Sequence, residues 1–225
     1  MNLALDEALL TEAGGGQGEV IRFWRFDRTV VVLGRGSKRV DEVNVAFCEA
    51  HSIDVLRRCS GGASIVAGPD CLMYSVVLDL RLRPELRNVD VAHRFVMQKL
   101  ASAITRQNVP VELRGICDLT IDGKKFSGNA LRIARDFLLY HGTVLERVDP
   151  VLVQSCLRTA PRQPAYREGR EHDAFVTSVP VDPIVLCDDL ATSFGATGEL
   201  PRWPVEPARE LYGTKYGTDA WHQRH

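Results

Sequence analysis

Lys125 stands two residues before a Ser127-Gly128 pair, in the run Asp118-Leu-Thr-Ile-Asp-Gly-Lys-Lys-Phe-Ser-Gly-Asn-Ala. A lysine ammonium is a compact charge with rotatable donors, suited to neutralising a phosphate or a carboxylate. Small residues beside it let a ligand approach the backbone. By themselves these residues equally describe a solvated hairpin lysine. The second candidate is Arg57-Arg58-Cys59-Ser60-Gly61-Gly62-Ala63. Successive glycines leave N–H groups open to a phosphate and two arginines supply charge, although Gly-Gly after a strand is also an ordinary turn. The run is neither G-x-G-x-x-G nor G-x-x-x-x-G-K-[ST], which argues against a Rossmann or P-loop site. A third stretch holds Arg162, Arg167, Arg170 and His172 in a polar, loop-like context. It reads as an exposed connection, an anion-binding rim or a docking surface for an acidic protein. The cysteines, at 48, 59, 71, 117, 156 and 187, show no C-x-x-C pair or zinc spacing, so reduced thiols are expected.

These residues need a scaffold, and the periodicities supply one. Asn2 to Ala13 repeats apolar residues near a 3.6 period and ends at Gly14-Gly15-Gly16, which predicts an amphipathic helix. Val20 to Phe26 and Thr29 to Leu33 read as a hairpin around Asp27-Arg28, Asp41 to Ala50 as a helix, and Ile53 to Leu56 as a strand. Cys71 to Leu80 is an apolar, β-rich run, a buried strand. Asn88 caps a helix whose stripe is Ala92, Val96, Leu100 and Ile104, with His93 off the stripe and in solvent. Val109 to Leu113 is a short strand. Leu119 to Ile121 and the segment from Lys124 form a hairpin about Asp122-Gly123, and Arg135 to Val148 is a strand carrying His141. Ile184 to Phe194 and Glu206 to Tyr216 read as helices, anchored by Leu211 and Tyr216.

At 225 residues, 45% apolar, 25% charged and a net charge of −1, the composition is that of a globular protein with no basic excess for nucleic acid. No apolar run approaches the roughly 20 residues of a membrane span. Asp6 and Glu7 stand where a signal peptide would be positive, so the cytoplasm is the expected compartment.

The central run, followed by Tyr140-His-Gly-Thr-Val-Leu, resembles the signature of the lipoate-protein ligase A family, within the biotin/lipoate ligase superfamily. Arg57-Arg58-Cys59-Ser60-Gly61-Gly62 resembles that family's Arg-Arg-x-Ser-Gly-Gly-Gly loop. The resemblance covers almost all of the chain. It implies one α+β catalytic domain over residues 1–225, a mixed β-sheet flanked by helices, biotin/lipoate ligase-like and class II synthetase-like. It further implies ATP-dependent activation of lipoate to lipoyl-AMP and transfer to a lysine of a lipoyl carrier domain, from a 2-oxoacid dehydrogenase E2 or a glycine cleavage H protein. By the same resemblance Lys125 contacts the lipoate carboxyl and the adenylate. Arg58 and the Gly61-Gly62-Ala63-Ser64 backbone hold the phosphate and acyl ends. Ile65, Val66, Ser127, Gly128 and His141 complete the binding wall, Asn129 lies at the nucleotide edge, and Asp118 is associated with magnesium. ATP and magnesium enter with the substrates, lipoate is itself a substrate, and no tightly bound cofactor is expected.

The chain departs from the family pattern at Ala63, where a third glycine is usual, and at Ala67 and Gly68, where histidine and aspartate are common. Gly36-Ser37 replaces the usual Gln-Asn. No accessory domain follows the final tryptophan, which raises the expectation of a separate accessory subunit. Related octanoyl and lipoyl transferases use a cysteine thioester. In one type the thiol position corresponds to Leu138, and in another it lies several residues upstream of the hairpin, so Cys117, directly beside Asp118, matches neither. A transferase and a non-catalytic lipoyl-binding relative remain the alternatives.

Overall fold

The computed structural model describes residues 1–16 and 18–225. Its frame is two β-sheets. In the larger, β1 (Val20–Trp24), β5 (Cys71–Asp79), β9 (Phe137–Leu145), β8 (Lys124–Ala134), β7 (Asp118–Ile121) and β6 (Glu112–Arg114) lie side by side in that order, every pair antiparallel. In the smaller, β2 (Val30–Leu33) runs between β3 (Asp54–Arg57), parallel to it, and β4 (Ile65–Ala67), antiparallel. The α+β class is as expected, with the mixed sheet divided into one antiparallel and one mixed sheet.

β5 shows why the large sheet needs cover on both sides. All nine of its residues are buried. Side chains alternate between faces along a strand, and Leu72, Tyr74, Val76 and Leu78 join one core while Cys71, Met73 and Val77 join another. The first face is covered by α4 (Val89–Thr105) and α7 (Pro183–Ser193), the second by α1 (Asn2–Glu12) and the C-terminal Tyr216 and Trp221. The expected stripe is the buried side of α4: Ala92, Val96, Leu100 and Ile104 are each fully covered, and the Asn88 side chain accepts from the N–H groups of Asp90 and Val91. A third core joins the outer face of β2 to α3 (Val45–Ala50) and α5 (Pro150–Cys156).

Four sequence expectations change, and one strand was missed. β1 and β2 do not pair with each other; Asp27-Arg28 carries the chain from one sheet to the other. The helix read over Asp41 to Ala50 is two, α2 (Arg39–Glu42) and α3, because Asn44 breaks the turn and accepts from the Phe47 N–H as a new N-cap. β4 was not legible within the Gly-rich run. His93 is buried rather than solvated, with Nδ1 2.9 Å from the Tyr140 hydroxyl, because the covered face of α4 is wide enough to include the residues beside its stripe. At the C-terminal end, α8 (Val205–Leu211) gives way to a π-turn over Tyr212–Tyr216, and α9 (Asp219–His222) closes the chain.

Candidate active site

Asp122 and Gly123 both take positive φ, at 50° and 71°, the backbone a two-residue hairpin turn requires. Just beyond the turn, the pairing of β7 with β8 shifts register between Leu119 and Thr120. That bulge has a chemical consequence. In a regular strand, residues three apart face opposite ways, but one extra residue puts Lys125 and Gly128 on the same side. A Cβ added to Gly128 would lie 2.8 Å from Lys125 Cε and 2.9 Å from Nζ. Glycine at 128 is therefore what lets the lysine lie back along its own strand. Its Nζ sits 2.7 Å from Asp118 Oδ1, and Tyr166 donates to Asp118 Oδ2 at 2.8 Å. Burial and the adjacent Asp118 carboxylate hold the Tyr166 hydroxyl well above its usual pKa, so it stays a donor. The Lys125 backbone is also fixed, its carbonyl accepting from the Thr177 N–H at 2.9 Å.

Two adjoining cavities meet at this lysine. The larger, about 510 Å³, has Arg58, Gly62, Lys125, Asn129 and His141 in its wall and an apolar floor that includes Leu3, Val32 and Met73. The smaller, about 120 Å³, has Glu42, Val66, Arg167, His172 and Phe175 in its wall. Ala63, Ser64, Ile65, Lys125 and Gly128 belong to both. The lysine side chain is 27% exposed, so its amine is reachable from the cavity.

The twin arginines hold the fold of the loop rather than standing free. Arg57 is fully buried and donates to the carbonyls of Gly34, Ser37, Trp221, His222 and Arg224, tying the C-terminus to the turn after β2. Arg58 donates to the carbonyls of Val32, Gly61 and Ala63 and to Ser60 Oγ. Burial lowers its pKa to about 10, so it remains charged at neutral pH. Gly62 has φ +87° and would press a Cβ to 2.9 Å from Arg58 Nη2, so the loop needs glycine there. Ser64 donates through both N–H and Oγ to Glu42 Oε2, at 2.7 and 2.6 Å.

The other residues expected at the site divide. Gly61 is exposed and borders neither cavity, and Ser127 is buried behind the wall. The Asn129 amide donates to the Cys117 carbonyl at 2.9 Å and to Ser127 Oγ at 3.1 Å, and accepts from the Tyr74 hydroxyl. A Cβ at Gly142 would fall 1.8 Å from Asn129 Oδ1, so the His-Gly pair makes room for this amide. Sequence reasoning missed Glu42, Tyr74 and Tyr166. Arg167 and His172, read as part of an exposed connection, an anion-binding rim or a docking surface, are 5% and 7% exposed and line the smaller cavity, which sets aside the exposed connection. The burial has a packing cause: Phe175, at the end of α6 (His172–Phe175) and itself buried, sits under the guanidiniums of Arg167 and Arg170, at 4.8 and 5.4 Å, and draws the segment inward. Arg167 Nη2 and His172 Nδ1 have no hydrogen-bond partner within the protein. Burial, and then the Arg167 charge, pushes His172 down to about 4, leaving it neutral.

Asp118 is a lone carboxylate in metal terms, since no group of three His, Cys, Asp or Glu side chains that could hold an ion occurs among the described residues. One carboxylate fits magnesium when substrate phosphates bring the remaining oxygens. Cys117 donates its thiol to the Asn129 carbonyl at 2.9 Å. Burial, then the Asp118 charge, raises its pKa, which opposes thiolate formation. No disulfide is formed, and no helix among the described residues is long and apolar enough to cross a membrane.

Fold and cavity together define an α+β protein that brackets one lysine between a glycine-rich loop and an arginine-bearing segment. The sequence profile of the lipoyl protein ligase A/B catalytic domain matches residues 1–181, and the chain belongs to that family. It is 35% identical over 149 residues to a probable lipoate-protein ligase A of Mycoplasma pneumoniae, covering 66% of this chain and 42% of that protein. It is 30% identical over 166 residues to an octanoyltransferase LipM of Carboxydothermus hydrogenoformans, covering 66% of this chain and 61% of that one. The chain thus spans less than two thirds of either relative. Among solved structures, a putative lipoate protein ligase from T. acidophilum with bound lipoic acid superposes with a TM-score of 0.80 at 21% identity, over 99% of this chain and 92% of that one. A lipoate-protein ligase A bound with ATP gives 0.79 at 22%, over 98% and 92%. At those identities the likeness is one of fold.

Proposed function

We propose that the protein is an ATP-dependent lipoate-protein ligase. The observation that carries this reading is the position of the Lys125 ammonium on the seam of two adjoining cavities, one with an apolar floor and one with unpartnered cationic and polar atoms. The acid's hydrocarbon tail lies on the apolar floor of the larger cavity, and the nucleotide, too large for the smaller cavity alone, spans the seam past Asp118 with its phosphates toward Arg167 and His172. Asp118 is the one carboxylate here that would hold a magnesium ion brought in with the phosphates, and the ion would neutralise charge on them.

In the first half-reaction a lipoate carboxylate oxygen attacks the α-phosphorus of ATP, and the bond to the β-phosphate oxygen breaks to release pyrophosphate. Lys125 moves from Asp118 onto the oxygens of the carboxylate and α-phosphate, offsetting the charge that builds there. Tyr166 keeps Asp118 in hydrogen bond when the lysine leaves. In the second half-reaction the amine of a carrier lysine attacks the acyl carbonyl, an amide forms and AMP departs. The protein supplies orientation and charge, and no nucleophile of its own. The partners in this reading are lipoyl carrier domains.

The second reading, acyl transfer through a cysteine thioester, draws on the likeness to the octanoyltransferase. The environment of Cys117 speaks for the ligase, because a nucleophilic thiol needs a lowered pKa and this one is raised. Pyrophosphate release that requires both lipoate and ATP is the expected result. Acyl transfer from an octanoylated carrier without ATP would replace the ligase by the transferase, and tight lipoate binding with neither activity would make the protein a binder.

A further inference from the structure

Behind the glycine-rich loop lies a buried chain of polar groups that the ligase chemistry does not use. Arg22 Nη1 donates to Asp6 Oδ1 at 2.7 Å, His141 Nδ1 is 3.2 Å from Asp6 Oδ2, and His141 Nε2 is 2.5 Å from Ser60 Oγ. Arg22 also donates to the Asn2 carbonyl and side chain, and Arg58 Nε donates to Ser60 Oγ at 3.2 Å. Arg22, Asp6, His141, Ser60 and Arg58 are all buried, Asp6 and Ser60 to 1% exposure. These groups come from α1, β1, β9 and the loop after β3, so the chain connects the N-terminal helix to the loop across the large sheet.

The proton positions follow from the inventory of donors and acceptors. A carboxylate paired with a guanidinium only accepts, so His141 Nδ1 must carry the proton it shares with Asp6. With the imidazole neutral, Nε2 is then an acceptor and the Ser60 hydroxyl donates to it. With Arg58 donating to the same oxygen, the hydroxyl has one allowed orientation.

Serine, histidine and aspartate in this order are also the parts of an activated nucleophile. Here the serine oxygen is not in the cavity wall, whereas His141 and Gly62 are. We propose that Asp6, His141 and Ser60 are positioning residues: the relay fixes the histidine tautomer, and through Ser60 it holds Arg58 and the Gly62–Ala63 backbone, which line the larger cavity, in the form that grips the acid. This inference rests on the ligase reading for the identity of the acid and not for the relay itself.

The test uses the full chain with two variants, Asp6→Asn and Ser60→Ala. Nitrogen-15 NMR of labelled histidine should show His141 with the proton on Nδ1 in the wild type and a mixed tautomer in Asp6→Asn. Calorimetric titration with lipoate should show weakening of about tenfold in each variant, the scale of one lost buried hydrogen bond, while ATP affinity stays within about twofold by the same measurement. Ser60→Ala removes only a hydroxyl, so it keeps the test decisive if Asp6→Asn, which strips Arg22 of its partner, does not fold. Unchanged lipoate affinity in Ser60→Ala would overturn the proposal, as would a wild-type His141 protonated on Nε2. So would a Ser60→Ala protein that binds lipoate normally but turns over nothing, which would make the serine a nucleophile. If wild-type protein binds no lipoate the ligase reading fails, and the tautomer measurement still decides the relay.

Discussion

The loop from Arg58 to Ser64 and the segment from Arg158 to Val176 face each other near Lys125, and they treat their polar atoms differently. In the loop, the side chains of Arg58, Ser60 and Ser64 all have partners within the protein. In the opposite segment, Arg167 Nη2 and His172 Nδ1 are buried without partners. A buried polar atom left unpaired costs about 1–3 kcal/mol, so the second wall carries a deficit that the first does not. In the proposed reaction the finished wall shapes the fit to the acid and the unfinished wall is completed by the nucleotide. The lysine between them is the one group that must serve both.

Lys125→Ala therefore tests the seam itself and carries the largest expected effect. It should reduce adenylate formation, followed as pyrophosphate release, by about 10²–10³, the range for loss of one charge-stabilising donor. Folding should persist, because the side chain is partly exposed and its ion pair with Asp118 lies at the cavity surface. Turnover at the wild-type rate would remove the lysine from the chemistry and with it the reason for comparing the two walls.

Arg167→Gln asks whether the unpartnered wall waits for a ligand. A hydrogen bond to a charged group is worth about 1.5–3 kcal/mol, so ATP affinity should fall by about ten- to a hundredfold while lipoate affinity is retained. The opposite pattern, lipoate weakened and ATP unchanged, would exchange the assignments of the two cavities.

His172 sharpens the same contrast through stability. Its folded-state pKa is about 4, below the ordinary value of 6.5, so between these two the unfolded chain binds more protons than the folded one. Stability contributed by the neutral histidine is present above about pH 6.5 and is lost as pH falls toward 4. Replacing it by glutamine should flatten that part of the profile of denaturation midpoint against pH. A profile identical to the wild type would show that His172 is not held neutral by its wall.

Legibility in the sequence followed the same division. The Asp122-Gly123 turn, the Asn88 cap, the α4 stripe and the buried β5 are set by neighbouring residues, and each was readable from spacing. The lysine and the glycine loop stood out through their type. What stayed hidden depends on contacts between distant parts of the chain. The register shift that turns Lys125 over Gly128 arises from pairing with another strand. Asp6 gained its meaning only when α1 packed beside His141, 135 residues away in the chain. An exposed connection stayed open for Arg167 and His172 because nothing local reveals that Phe175 draws them inward, and His93 read as solvated because a stripe of four residues understates the buried face of its helix.

The smallest effect is expected at Cys117, and its size separates the two chemistries. The thiol lies beside Asp118, in the wall of the larger cavity, close enough to Lys125 that proximity alone would make it a candidate nucleophile. Its surroundings oppose that use. Desolvation and the neighbouring carboxylate raise the pKa, Lys125 offsets this only in part, and the sulfur donates its proton to a backbone carbonyl. Serine in this position keeps a donor of nearly the same reach, so Cys117→Ser should leave lipoate-dependent pyrophosphate release within about twofold, less than the roughly 0.5–1.5 kcal/mol of a typical hydrogen bond. A transferase would respond in the other direction: the hydroxyl is a far weaker nucleophile than a thiolate, and turnover would collapse with carrier binding intact. Such a collapse would move the reacting centre from the seam at Lys125 to the thiol just before β7 and make the unpartnered wall a site for something other than ATP.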